Sequence, residues 1–173
     1  GADILRVWVA SSDYHADIRI SKDILKQLSE AYRKIRNTAR YILGNLDGFN
    51  PDTDRVAYDE MFELDKWAYV RMNALNDKVR AGFEALDYHV AFHAIHNFCV
   101  LDMSNFYLDV LKDRLYCEAD GSLARRSAQT AMYDILSALT RLVAPIIAFT
   151  AEEIWQYMPK SEKLNSESVF LND

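Results

Sequence analysis

The stretch SKDILKQLSEAYRKIRNTARYILGNL, residues 21 to 46, decides the fold. Ile24, Leu28, Ala31, Ile35, Ala39, Ile42 and Leu46 recur every three or four residues, the spacing that lines up one face of an α-helix. Ser21 stands where an N-cap belongs, and Asp23 falls in the first turn, where a carboxylate favours the helix dipole. The run from Gly44 to Pro51 supplies the exit. So long and one-sided a helix needs neighbours to cover its apolar face. Its other face is basic, with Arg33, Lys34, Arg36 and Arg40 in one short run. On a wheel at roughly 100° per residue, Lys22, Lys26, Arg33 and Arg40 fall within about 40° of one another, nearly opposite the apolar arc. Arg36 flanks that row on one side and Asn37 on the other. At roughly 1.5 Å per residue the row spans about 27 Å, a length suited to a polyanion. A solvated helix face would carry the same pattern, and Glu30 interrupts the row.

The neighbours are found downstream. Leu64, Ala68, Leu75, Val79, Phe83 and Leu86 predict a second helix over about 63–86. Tyr88, Ala91, Phe92, Ile95, Phe98, Cys99, Phe106 and Val110 predict a third, from Asp87 towards Leu115. After the turn Asp120-Gly121-Ser122 a fourth runs to Val143, and Pro145 interrupts it. Thr150 followed by Glu153 matches a capping box and opens a short helix through Met158. Residues 3–10 fit a helix or a strand equally well, while 16–20 alternate and read as a short extended piece. The expected fold is all-α, an up-and-down helical bundle with a short extended segment near the N-terminus. Residues 1–20 read as a connecting segment, 21–158 as the bundle and 159–173 as a polar tail without periodicity.

Composition narrows the function. Ten Tyr, eight Phe and three Trp among 173 residues argue against disorder, and five Gly with three Pro favour long helices. Cys99 and Cys117 make no metal-ligand spacing and suit a reduced, cytoplasmic setting. No apolar run approaches the roughly 20 residues of a membrane span. The net charge of -6 would repel nucleic acid in bulk, but charge is segregated along the chain. Residues 47–65 hold seven carboxylates against Arg55 alone, downstream of the basic helix. Two further basic clusters, Lys112 with Arg114 and Arg125 with Arg126, fall at one end of the expected bundle. They could extend an anion surface or pair with Asp113, Glu118 and Asp120. His89, His93 and His96 share one side of the third helix, yet no nearby Cys or Glu completes a metal set, so no metal site is expected. No phosphate-cradling loop, nucleophile elbow or acid–base pair is present, and no catalytic residue is assigned.

Several words of the sequence resemble isoleucyl-tRNA synthetases, of the class I aminoacyl-tRNA synthetases. They are GADILRVWVASSDY (1–14), SEAYRKIRNTARYILGNL (29–46), FCVLDMSNFYLDVLKDRLY (98–116), RRSAQTA (125–131) and APIIAFTAEEIW (144–155). The resemblance covers essentially the whole chain in collinear order, and it is to the helical anticodon-binding domain that comes after the catalytic core. Leucyl, valyl and methionyl enzymes share the fold and looser forms of some words. The resemblance implies that the anion is tRNA(Ile), docked along its anticodon stem-loop, with the catalytic and editing domains of one parent chain as further partners. It implies a ligase that uses ATP, magnesium and, in many bacterial members, zinc, all at sites outside these residues, so no cofactor is expected here. The opening residues match the family's segment just after the KMSKS loop and read as the interior of a longer chain. The matching words nominate Arg33, Lys34, Arg36, Asn37 and Arg40 as RNA contacts, with Lys112, Arg114, Arg125 and Arg126 behind them. A helical protein-interaction or scaffold module is the competing reading.

Overall fold

Ser21 caps the basic helix as its position requires: its hydroxyl accepts from the Ile24 N–H at 3.1 Å. The computed structural model describes residues 1–164 and 167–172; tail positions 165, 166 and 173 lie outside the described residues. Helix α1 (Ala2–Ser11) leads into α2 (Lys22–Asn45), which ends through Leu46 and a turn at Gly48, whose φ of 68° suits glycine. Then come α3 (Glu63–Glu84), α4 (Tyr88–Asn97), a π-helical segment (Phe98–Tyr107), two short helices α5 (Leu108–Val110) and α6 (Lys112–Cys117), α7 (Leu123–Val143) and α8 (Ala148–Tyr157). Single 3-10 turns lie at Tyr58–Glu60 and Val169–Leu171. The described residues form no strand, and the architecture is the all-α bundle. Helix α7 is buried along most of its length, with α2, α3, α6 and α8 packed around it.

Residues 3–10 resolve as a helix, and the connecting segment helps to close the bundle. Val7 is fully buried, and Asp3 reaches α8, where its carboxylate accepts from the Thr150 N–H at 3.2 Å and the Thr150 hydroxyl at 2.5 Å. This corrects the capping box. Helix α8 starts at Ala148, Thr150 lies inside its first turn, and the oxygen that satisfies the orphan N–H comes from another helix. The alternating residues 16–20 find no partner strand; Trp8 donates its indole N–H to the Arg19 carbonyl at 3.1 Å and ties this piece to α1.

The third helix departs most from its pattern. At Phe98 the winding loosens to π, which adds a residue per turn and shifts the phase of everything after it. Met103, Tyr107, Leu108 and Leu111 therefore turn inward, while Phe106 and Val110, expected inside, are exposed. Leu86, also expected inside, is 52% exposed because it adopts the left-handed conformation (φ 62°) that ends α3. The Asp87 N–H bonds the Gly82 carbonyl at 2.8 Å and the Leu86 N–H that of Phe83 at 3.1 Å, a Schellman closure.

Ile35 and Ile42 are sealed in the core, whereas Leu28 is only half-buried against it. Ile35→Ala and Ile42→Ala should each lower the unfolding free energy by about 2–5 kcal/mol, read from urea denaturation, with a smaller loss for Leu28→Ala.

Candidate nucleic-acid interface

Burial of Ile35, Thr38, Ala39 and Ile42 fixes the rotation of α2 and leaves its basic side to solvent. Arg33, Lys34, Arg36, Asn37 and Arg40 are all exposed, as are Lys22 and Lys26. Arg33 bonds Glu30 at 2.6 Å, an exposed pair one turn apart that holds the cation only weakly. Arg36 lies over the Tyr32 ring at 5.8 Å, and the Tyr32 hydroxyl is 2.9 Å from that of Thr150, which braces this edge of α2 against α8. Among the described residues, no carboxylate pairs with Lys22, Lys26, Lys34, Arg36 or Arg40. These five cations, with no carboxylate partner among the described residues, are free to take external ones.

The opposite edge of α2 packs on the π segment. Thr38 donates its hydroxyl to the Lys34 carbonyl at 3.0 Å and sits 3.1 Å from the Ser104 hydroxyl, so the loosened turn is bonded to the basic helix. Further along, the Tyr116 hydroxyl donates to that of Tyr41 at 3.4 Å, and burial pushes the Tyr41 phenol well above its ordinary range. Burial also lowers the His96 pKa, the main cause, with Lys34 and His93 adding to it, so this edge favours neutral imidazole. His93 and His96 both lie against the Phe92 ring. Among the described residues, no three His, Cys, Asp or Glu side chains converge as metal ligands would.

The second rank of cations has a different character. Arg114 is 18% exposed and bonds Asp65, which is 0% exposed, at 2.7 Å. Asp65 also accepts from the Tyr107 hydroxyl at 2.7 Å and the Ser127 hydroxyl at 2.5 Å. One carboxylate thus joins α3, the π segment, α6 and α7. Arg126 is held by Asp54 at 3.2 Å, by Gln129 at 2.9 Å and by the Gly48 carbonyl at 3.3 Å. Lys112 makes an exposed pair with Asp109 at 2.6 Å. Arg125 pairs with Asp120 at 2.8 Å, and its Nε is buried without an acceptor. The end of α2 meets α6 and the start of α7 around a cleft of about 350 Å³, rimmed by Gly44, Asn45, Tyr116, Asp120, Arg125 and Gln129.

The acidic run is not one repulsive surface. Asp65 is interior and Asp54 pairs with Arg126, while Asp52 accepts from the Glu162 N–H and the Ser161 hydroxyl, which holds its pKa below the usual range. Sequence reading missed the Asp65 junction, because a buried carboxylate in an acid-rich run carries no local signature. It also missed the cleft, for which the one available signal was Gly44, four residues past Arg40 on the basic face.

Residues 65–173 match the family model described as the anticodon-binding domain of tRNA ligase. The chain belongs to the anticodon-binding domain family of tRNA ligases. It is 58% identical over 173 residues to an isoleucine–tRNA ligase of Syntrophotalea carbinolica, covering 100% of this chain and 18% of that protein. It is 61% identical over 171 residues to the isoleucine–tRNA ligase of Caldicellulosiruptor bescii, covering 99% and 18%. With that of Brevibacillus brevis the identity is 56% over 173 residues, again 100% and 18%. The chain thus spans about 18% of the length of these curated relatives. The family match begins at Asp65, downstream of the basic face of α2. The similarity to the full-length relatives covers α2 as well. Among the described residues no helix is long and apolar enough to cross a membrane.

Proposed function

We propose that this domain holds the anticodon stem-loop of an isoleucine tRNA against the outward face of α2, while aminoacylation takes place elsewhere in a longer ligase. The observation that carries this reading is the row of exposed cations on α2, with Lys34, Arg36 and Arg40 free of carboxylate partners among the described residues. A-form RNA offers phosphates and 2′-hydroxyls across a shallow groove, and an anticodon loop adds unstacked bases. Arg33, Lys34, Arg36 and Arg40 would fix the backbone, and Asn37 would bond a sugar or base edge. Lys112 and Arg125 would add charge at the end of the bundle. Arg114 and Arg126 could touch RNA only with donors left over from Asp65 and Asp54, so their larger part is to shape that end. The choice of isoleucine comes from the names of the relatives. ATP, magnesium and any zinc would be handled by other parts of such a ligase, alongside its catalytic and editing domains in the cytoplasm.

The test is titration of this chain with isoleucine tRNA across a range of salt. Kd is expected on the order of 10⁻⁴ to 10⁻⁶ M, with a log–log salt slope of roughly -2 to -4 as three or four phosphates shed counterions. Absence of binding at low salt, or affinity indifferent to salt, would leave the basic face a solvated one and favour a protein-interaction module.

A further inference from the structure

We propose that Tyr32, held in place by a chain of hydroxyl groups that ends on Asp3 of α1, positions Arg36 for the RNA backbone. The proposal rests on the reading that the basic face of α2 carries the RNA, and it names what orders one cation of that face. Of the five α2 cations without a carboxylate partner among the described residues, Arg36 alone lies over an aromatic ring. Tyr32 stands four residues before it, so ring and guanidinium meet on one edge of the helix, 5.8 Å apart. A guanidinium resting on a ring keeps its N–H edge for a phosphate and has less rotamer freedom to lose on binding. Arg33 is ordered differently, by an exposed pair with Glu30 at 2.6 Å, and that carboxylate competes with any phosphate. A neutral ring orders Arg36 without competing for its charge.

The ring can serve in this way only if it is itself fixed, and its hydroxyl shows how. The Tyr32 and Thr150 hydroxyl oxygens are 2.9 Å apart. Thr150 has one hydroxyl proton and gives it to Asp3, at 2.5 Å. Towards Tyr32 the Thr150 oxygen can therefore only accept, so the phenol is the donor. The bonds run in one direction, from Tyr32 through Thr150 to a carboxylate, and the charge at the end strengthens them. Asp3 is anchored in turn. Its Oδ1 accepts from Arg6 at 3.0 Å, its Oδ2 also takes the Thr150 N–H at 3.2 Å, and its side chain is 13% exposed.

Two members of this chain could not act on RNA directly in the same sense. Thr150 is buried and uncharged, and it belongs to α8, so it influences an RNA on α2 only through Tyr32. Asp3 would by charge alone repel RNA. As the anchor of the ring beneath a cation, it favours binding instead.

The test is titration of the whole chain with isoleucine tRNA at several salt concentrations, beside thermal melts that fix a temperature where every variant is folded. Tyr32→Leu keeps an apolar side chain without the ring. It should weaken binding about five-fold at an unchanged salt slope, because Arg36 keeps its charge. Tyr32→Phe and Thr150→Val delete the same bond, so each should weaken binding by about two- to three-fold, and the two together no further than either alone. Arg36→Ala should flatten the slope by roughly 0.7–0.9, and in that background Tyr32→Leu should have no further effect. Should Thr150→Val not fold, Tyr32→Phe alone decides the part of the hydroxyl. Parent-like affinity in Tyr32→Leu, or in both hydroxyl variants, overturns the proposal. So does a Tyr32→Leu loss that persists in full without Arg36, which would mean that the ring touches RNA itself or only supports the helix. In each of these cases a parent that binds with steep salt dependence keeps the basic-face reading. No binding by the parent at low salt overturns both.

Discussion

Asp65→Ala is expected to lower the unfolding free energy by about 3–5 kcal/mol, the cost of stranding a buried charge partner. Asp65 has no solvent contact, and it answers Arg114, Tyr107 and Ser127 at once. Removing it leaves a guanidinium 18% exposed, a phenol with no exposure and a hydroxyl in the core, and water cannot reach in to replace the carboxylate. For a domain of this size the loss corresponds to a fall in Tm of about 6–20 °C. Asp65→Asn keeps an acceptor but not the charge and should fall between Ala and the parent. Tyr107→Phe removes a single bond and should cost less than either. Urea denaturation and thermal melts of the three variants give the order. If Asp65→Ala melts with the parent, the four elements meeting there are held by apolar packing and the carboxylate is incidental.

Arg36→Glu combined with Arg40→Glu should abolish measurable tRNA binding at the low salt where the parent binds, and leave the melting temperature nearly unchanged. Both side chains are exposed, and among the described residues neither gives up an ion pair. Arg36 loses only its exposed contact with the Tyr32 ring, worth roughly 0.5–1 kcal/mol. The two residues are one helical turn apart, so changing both keeps that pair like-charged and alters the field rather than the helix. Arg40→Glu alone, which loses one phosphate contact and should leave binding measurable, should flatten the salt slope by roughly 0.7–0.9. Asp77→Lys on α3, which packs on α4 and α7, shifts net charge in the opposite direction and should not weaken binding. A folded double variant that binds as the parent does would mean the RNA face lies elsewhere.

The α2 helix, its Ser21 cap and its exposed cations were legible because each depends on neighbours in the chain. Apolar spacing sets the buried side, the cap satisfies a local N–H, and charges opposite the apolar face cannot be inside. The same holds for α3 and for α7, whose Ser122 hydroxyl accepts from the Arg125 N–H at 3.2 Å. The resemblance carried by words such as RKIRNTARYILGNL and KDRLY pointed to the family in which the comparisons place the chain. Local pattern failed where the energy is settled at a distance. The π turn at Phe98 moved Phe106 and Val110 outward and Met103 and Tyr107 inward, because a residue added to one turn alters the phase of all later ones. Thr150 resembled a cap, but the carboxylate that does the capping is Asp3, 147 residues away. Arg114 and Arg40 look alike in sequence, each a member of a basic cluster on a helix. Only the tertiary structure separates them, since packing puts a buried carboxylate beside Arg114 and leaves Arg40 to solvent. The sequence by itself therefore determined the helices and the sign of their faces, through interactions within one or two turns. Which charges are spent inside the bundle, and where its end opens into a cleft, depended on contacts between residues far apart in the chain, and these exist only once the helices have packed.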